Sequence, residues 1–163
     1  MRKIVCFLLS AILFAGCFSI DCPVKNLVLS NYALMKKGGI PDTLNTDTLW
    51  IWTKRIDGTD TLLVNGLCGT TTNFMMQISY TQPEDEFYSL LKDTAGVMLL
   101  DTFRIKKENI PHFESVDCKV SYFHDLTGTA TTHHAIDSIT IHHKRVDYEV
   151  TNTHLYIYLK PRH

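Results

Sequence analysis

The clearest structural signal in the sequence is the stretch FMMQISY at residues 74–80. Every second residue from Phe74 to Tyr80 is large and apolar and shares one face of an extended chain, whereas Gln77 and Ser79 lie on the other face. Alternation with period two over this length is typical of a half-buried β-strand. The stretch therefore predicts a strand that covers an apolar core with one face.

Similar segments fill the rest of the chain and are separated by turn signals such as Lys37-Gly38-Gly39 and Leu126-Thr127-Gly128. The 19 Thr residues favour strands, because β-branched side chains fit a pleated surface. Residues 83–92 could form a short helix instead. We expect an all-β fold, an antiparallel two-sheet β-sandwich that is immunoglobulin-like, with seven to nine strands. The predicted strands are Leu27–Met35, Thr48–Arg55, Thr61–Asn65, Phe74–Tyr80, Glu86–Lys92, Val97–Lys106, Lys119–Leu126, Ile136–His142 and His154–Lys160.

Composition and charge narrow the class of protein. The 163 residues are 45% hydrophobic and 20% charged, which excludes a disordered chain and suits one ordinary globular domain. The formal net charge of −1 gives no basic surface of the kind that nucleic-acid binding requires. We therefore expect a single folded domain with no nucleic-acid partner.

The N-terminus has the pattern of a secretory signal. Arg2 and Lys3 precede the apolar run Ile4–Gly16, and small residues stand at the end of that run. A membrane-spanning helix needs about 20 apolar residues, so this run is too short to be one. We predict that residues 1–16 are a cleaved signal peptide.

The run ends in Ala15-Gly16-Cys17, which resembles the lipobox of bacterial lipoproteins. The resemblance implies that Cys17 carries the lipid, that residues 17–25 are a tether and that residues 26–163 form the domain. Phe18 follows Cys17, so the Asp that commonly retains such proteins in the inner membrane is absent there. We therefore expect a lipoprotein of the outer membrane, facing the periplasm or the cell surface. The alternative is ordinary cleavage to a soluble periplasmic protein.

Three cysteines remain after Cys6 and Cys17 are set aside. In an oxidising compartment Cys22, Cys68 and Cys118 allow one disulfide and one leftover thiol. We favour Cys22 with Cys118, because both follow an Asp. The alternative is three buried, inert thiols.

Trp50 and Trp52 are the most interesting candidate for a ligand surface. They share one face of the predicted strand Thr48–Arg55, while Leu49 and Ile51 occupy the other. Since one face must meet the core, the two indoles are a possible exposed platform for an envelope protein or a glycan. The alternative places both Trp side chains in the core.

Metal and cofactor chemistry has weaker support. The chain lacks HExxH and CxxC, so we predict no cofactor and no metal. Convergence of several histidines is the alternative that would give a metal-binding protein, with His124, His134, His142 and His143 as candidates. A calcium loop at residues 57–60 is explained better by a hairpin turn.

Catalytic motifs are absent as well. The chain has no GxSxG elbow, P-loop or dinucleotide fingerprint, so we predict that it is not an enzyme and has no catalytic residues. Cys118 with His112 or His124 could be drawn as a nucleophile and base, which would give a hydrolase with a His-containing site. The acidic run at residues 84–86 is expected to be a solvated loop.

A resemblance covers most of the chain after the signal. Its strongest parts are PHFESVDC at 111–118, FHDLTG at 123–128 and HAIDSITI at 134–141, and it includes DCP at 21–23. The chain is similar to small Bacteroidetes-type lipoproteins of unknown function. The resemblance implies an all-β envelope lipoprotein with matching Cys22 and Cys118, and it implies no activity. The resemblance does not extend to Cys68 or to the face that carries Trp50 and Trp52.

Overall fold

The computed structural model describes residue 22 and residues 28–161. The predicted signal peptide and the lipid site at Cys17 lie outside the described residues. Within the described ranges the chain forms eleven strands, and it contains no helix long and apolar enough to cross a membrane. The strands are β1 (Leu29–Lys36), β2 (Ile40–Pro41), β3 (Asn45–Lys54), β4 (Asp60–Gly69), β5 (Asn73–Gln77), β6 (Glu84–Lys92), β7 (Met98–His112), β8 (Ser121–Thr131), β9 (Ile136–Ile141), β10 (Arg145–Val146) and β11 (Leu155–Leu159).

The strands form two sheets, which confirms the predicted all-β sandwich. One sheet has five strands in the order β2-β1-β11-β9, with β5 also paired to β1, and the other has six in the order β10-β8-β7-β6-β3-β4. The β1–β11 pair is parallel, unlike the antiparallel pairs around it. These strands are the first and last of the described chain, so no tight turn constrains their direction.

The core lies between the two sheets and is built from the inward side of each alternating strand. Phe87 of β6 stacks on Phe103 of β7 with ring centroids 5.1 Å apart. Leu49 and Ile51 of β3 are 4% and 1% exposed, so the aliphatic face of this strand is the one that meets the core. The burial of such side chains is the main favourable contribution to folding.

The turn predicted at Leu126-Thr127-Gly128 is wrong. These residues lie inside β8, where Gly128 pairs with Lys106 and Leu126 pairs with Lys107. Thr127 is therefore the extra residue of a β-bulge. Bulges and turns use similar residue types, so this composition predicted a turn. The short helix considered for residues 83–92 is also absent, because Glu84–Lys92 form β6.

The loops of the sandwich gather at two ends. The tether end, as we name it, consists of loops 55–59, 78–83, 113–120 and 147–154, together with Cys22 and Val28. The far end includes loops 37–39, 93–97 and 132–135. The registers of the strands fix this division, since β3 and β7 run toward the tether end and β6 and β8 run away from it.

Candidate functional site

Trp50 and Trp52 lie on the outer face of the six-stranded sheet. Both are half-buried, whereas Leu49 and Ile51 on the opposite face of β3 are buried in the core. The two indoles therefore point away from the other sheet. The prediction that this surface holds a ligand stays a prediction.

Neighbouring strands extend the apolar surface around the two indoles. Trp50 stands opposite Leu90 of β6, which in turn stands opposite Leu100 of β7. Trp52 stacks on Tyr88 with ring centroids 5.9 Å apart. On its other side Trp52 pairs with Leu62 of β4. We call this surface the aromatic face; it comprises Trp50, Trp52, Leu62, Tyr88, Leu90 and Leu100.

A glycine of the edge strand closes one side of the aromatic face. Gly66 of β4 has a φ of +66°, and a Cβ built there would lie 3.6 Å from Nε1 of Trp50. The left-handed backbone favours Gly at this position. Because β4 approaches the indole so closely, Trp50 is partly covered while Leu62 and Leu100 stay 52% and 49% exposed.

Charged side chains border the aromatic face toward the tether end. Nη2 of Arg104 lies 2.6 Å from Oε2 of Glu86, and the Tyr88 hydroxyl donates a hydrogen bond to the same carboxylate. The hydrogen bonds from Tyr88 and then Arg104 hold the pKa of Glu86 below its usual range. Lys54 Nζ lies 5.4 Å from the centroid of the Tyr88 ring, a cation–π distance. The face thus passes from apolar to charged along the strands.

A cavity of about 790 Å³ opens at the tether end beside this charged border. It shares Lys54, Glu86 and Tyr88 with the border and has the core residues Ile78 and Phe87 in its lining. Its volume falls in the range of small-molecule sites. The aromatic face and the cavity are therefore adjacent surfaces that meet at Tyr88.

A buried ion pair stands behind the cavity. Asp85, which lines the cavity, has its Oδ2 2.8 Å from Nζ of Lys107, and neither side chain is exposed by more than 6%. Burial raises the pKa of Asp85, and the hydrogen bond and positive charge of Lys107 partly offset this rise. Lys107 also donates to the carbonyl of Gln82, and Asp85 accepts from the amide of Ser79. The pair therefore fixes the loop between β5 and β6.

The acidic run at residues 84–86 is thus not the solvated loop that the sequence predicted. It belongs to β6, so its members alternate between the two faces of the sheet. Glu84 and Glu86 point outward to Arg104, while Asp85 points inward. The signal that sequence reasoning missed is Lys107, which occupies an inward position of β7.

The candidate histidines do not converge. His124 is buried and its Nδ1 lies 2.7 Å from Oδ1 of Asn109. Burial, followed by the charges of Lys107 and Arg145, lowers the pKa of His124 to about 4. His134 lies at the far end beside Asp101.

The two remaining candidate histidines pack against the rings of other side chains. His142 stacks on Tyr156 at 4.3 Å, and His143 meets His154 edge-on at 5.9 Å. Among the described residues no group of three or more His, Cys, Asp or Glu side chains is placed to hold a metal ion.

Residues 57–60 form a turn with the local hydrogen bonds of a hairpin. Oδ1 of Asp57 accepts from the amide and the hydroxyl of Thr59, and Gly58 has a φ of +81°. The amide of Arg55 donates to the carbonyl of Thr59 and closes the turn. The Asp57 carboxylate is therefore bonded within its own turn.

Cys22 and Cys118 form a disulfide bond with Cα atoms 5.5 Å apart, which confirms the predicted pair. Cys118 therefore has no thiol to act as a nucleophile with His112 or His124. Cys68 is a free, exposed cysteine. The bond joins the start of the domain to the loop between β7 and β8.

Fold and site together define an all-β sandwich domain with a disulfide at one end and an apolar outer face. Residues 48–159 match the family of unknown function DUF6452, and the chain belongs to that family. The match includes the whole aromatic face and Cys118 and begins after β1 and β2. No curated protein matches the chain. No solved structure matches it either.

Proposed function

We propose that this protein is a lipid-anchored module of the cell envelope that binds a partner protein through its aromatic face. The observation that carries the proposal is the row of apolar side chains on the outside of the six-stranded sheet. Trp50, Trp52 and Tyr88 stand there beside Leu62 and Leu100, which are about half exposed. Contiguous exposed apolar surfaces of this kind mark interaction sites.

The neighbours of the indoles favour a protein over a glycan. A sugar needs hydrogen-bonding groups that are close to the aromatic platform and free to bind it. Trp50 has the apolar Leu90 and Leu100 in its row, and the Glu86 carboxylate at the border is already bonded to Arg104 and Tyr88. Trp, Tyr and Arg are the residue types enriched at the energetic centres of protein interfaces. The Arg104–Glu86 pair at the border supplies the polar rim that such interfaces have.

Two observations support the location in the envelope. The sequence at residues 1–17 has the pattern of a lipoprotein signal with Cys17 as the acceptor. The Cys22–Cys118 disulfide fits an oxidising compartment such as the periplasm or the cell surface. The lipid would be the contact with the membrane, in the outer membrane rather than the inner one because of Phe18. The soluble periplasmic form is the alternative.

The rival functions have less support. A metal-binding protein needs several ligands close together. A hydrolase with a His-containing site needs a base beside a nucleophile. His124 and His134 lie in different parts of the sandwich, and Cys118 is bonded to Cys22. These observations favour a binding surface over a reactive centre.

Photo-crosslinking in native envelopes tests the proposal. A photoreactive amino acid replaces Leu100 on the aromatic face or, as a control, Ile40, which is 61% exposed on β2. We expect one discrete protein adduct at Leu100 and none at Ile40. Because truncating a central Trp of an interface costs about 2 kcal/mol or more, Trp52→Ser should lower the adduct yield at least about tenfold. Equal adducts at both positions, or an adduct that is a glycan, would contradict the proposal.

A further inference from the structure

Large apolar side chains are exposed on the loops of the tether end. Val116 is 99% exposed and Phe113 is 65% exposed, both in the loop between β7 and β8, and Ile56 is 85% exposed in the β3–β4 turn. Tyr80 in the β5–β6 loop is 56% exposed and Val150 in the β10–β11 loop is 49% exposed. Each loop of this end therefore presents apolar surface to the outside.

Contacts made by residues in or next to these loops show that the loops are neighbours. Ile56 and Tyr80 line the same cavity, and Tyr80 stacks on Tyr122 with ring centroids 5.1 Å apart. The ring of His112, next to Phe113, meets Tyr148 edge-on at 6.1 Å, close to Val150 in the chain. The loops thus lie side by side across the tether end.

The disulfide connects this surface to the predicted lipid site. Cys118 lies in the same loop as Phe113 and Val116 and is bonded to Cys22. Cys17 precedes Cys22 by five residues, and five residues span at most about 18 Å when fully extended. A lipid on Cys17 would therefore enter the bilayer within about 18 Å of the tether end.

We propose that the tether end rests on the phospholipid bilayer, with Phe113 and Val116 in its interfacial region. This inference rests on the proposed lipid anchor at Cys17. Two side chains alone would hold the domain only weakly, but the tether raises their effective concentration at the bilayer far above that of a free protein. A weak preference for the interface is then enough to orient the domain.

The charges of the tether end indicate that apolar contact with the bilayer, rather than attraction to anionic lipid, sets this orientation. The loop that carries Val116 contains Glu114, Asp117 and Lys119, so it has no positive excess. Acidic side chains gain nothing from an anionic surface. The contact should therefore form on phosphatidylcholine vesicles and be no stronger on vesicles that also contain phosphatidylglycerol.

The orientation also exposes the aromatic face to partners. The strands of the six-stranded sheet run between the far end and the tether end. With the tether end on the bilayer, the outer surface of the sheet with Trp50 and Leu100 points sideways, along the membrane. A partner anchored in the same membrane could then reach it.

Depth measurements on the full-length lipoprotein in vesicles test the inference. An environment-sensitive fluorescent amino acid replaces Val116 at the tether end or, as a control, Val97 at the far end, which is 52% exposed. We expect the emission at position 116 to shift to the blue and to be quenched by lipids that carry a nitroxide near the headgroup. The emission at position 97 should show neither effect. Phe113→Asp should reduce the quenching at position 116, while Ile40→Asp should leave it unchanged.

The outcomes separate the two proposals. If the protein floats with the vesicles but position 116 gives the emission of a water-exposed probe, the orientation is wrong and the lipid anchor stands. If the protein does not float and its mass shows an unmodified Cys17, both proposals are wrong. Equal quenching at positions 116 and 97 would also contradict a fixed orientation.

Discussion

At the scale of single residues, Asp101 shows how one buried carboxylate can hold a turn. Its Oδ1 accepts hydrogen bonds from the Thr132 hydroxyl and the amide of His134, and its Oδ2 accepts from the amides of Ala135 and Ile136. Burial alone raises the pKa of Asp101, but the hydrogen bonds to the ionised form outweigh this effect, so the pKa lies below its usual value. The far end therefore depends on an ionised Asp101.

Asp101→Asn should destabilise the protein by about 3 kcal/mol, because in either orientation the new NH2 group would face at least one backbone N–H donor and the charge that these donors stabilise would be lost. Since the folded pKa is lowered, the stabilisation from Asp101 is present above about pH 4, the usual carboxyl value, and is lost as the pH falls through the lowered pKa. Urea unfolding at pH 7 and at lower pH measures both effects. Asp137→Asn, a change at a neighbouring half-buried carboxylate, is the control. Equal stability of the two variants at pH 7 would contradict this role.

Trp50 and Leu49 are neighbours in β3 with opposite surroundings, so they test the assignment of the two faces. Leu49→Ala should cost about 2–5 kcal/mol, because it leaves a cavity in the core. Trp50→Thr should cost about 1 kcal/mol, because the indole is only half-buried and Thr suits a strand. Chemical denaturation monitored by circular dichroism gives both values. A larger loss for Trp50→Thr than for Leu49→Ala would place the indole in the core.

At this scale the sequence contained part of the candidate site. The period of two in β3 was enough to place Trp50 and Trp52 on one face and Leu49 and Ile51 on the other. It could not supply Tyr88 or Leu100, because cross-strand neighbours depend on register, which turn geometry and core packing set together.

At the scale of strands, the Asp85–Lys107 ion pair joins β6, β7 and the β5–β6 loop. The two residues are inward neighbours on adjacent strands, and each also bonds the backbone of the loop. The strand predicted from the sequence, Val97–Lys106, stops one residue before the inward-facing Lys107. The observed strand continues to His112, because Lys107 is paired rather than solvated. Polar residues with buried partners are the places where hydrophobic periodicity fails.

Lys107→Met should cost about 3–5 kcal/mol, because it leaves the Asp85 carboxylate buried without its partner. Replacing both residues, as Lys107→Met with Asp85→Leu, should recover part of this loss. The matched control is Lys106→Met on the outer face, which should change the stability by no more than about 0.5 kcal/mol. Thermal and urea unfolding of the four proteins checks the series. If Lys107→Met and Lys106→Met are equally mild, the pair does not hold the strands.

A second difference between the predicted and the observed strands has a similar origin. The segment Leu126-Thr127-Gly128 has the composition of a turn, yet Gly128 continues β8 past a bulge. Turns and bulges use the same residues, and only the pairing with β7 distinguishes them.

At the scale of the whole molecule, the Cys22–Cys118 disulfide encloses most of the sandwich. The two cysteines are separated by 96 positions in the chain. In the chain-entropy model a loop of this length is worth about 4.7 kcal/mol of stability. Oxidising conditions predict one bond among three cysteines, and the Asp before both Cys22 and Cys118 favours this pair.

Replacing both bonded cysteines, as Cys22→Ser with Cys118→Ser, should lower the free energy of unfolding by up to about 4.7 kcal/mol. Cys68→Ser is the matched control, because Cys68 is exposed and unbonded, and it should have little effect. Urea unfolding with and without reductant measures the difference. A reductant that leaves the wild-type midpoint unchanged would show that the bond does not stabilise the domain.

The overall architecture was predictable because it follows from period-two patterning in nine separate segments, each of which overlaps an observed strand. Two further strands, Ile40–Pro41 and Arg145–Val146, have two residues each and are too short to show any period. The parallel pairing of β1 with β11 joins the two ends of the described chain, and local sequence carries no signal for a contact of that range.

The most direct test of the whole account is the intact mass of the protein purified from native envelopes. We expect a mature chain that begins at Cys17 and carries acyl chains of the palmitate type on that residue. A chain that begins upstream of Cys17, or one that begins there without lipid, would contradict the anchoring on which the proposed function and orientation depend.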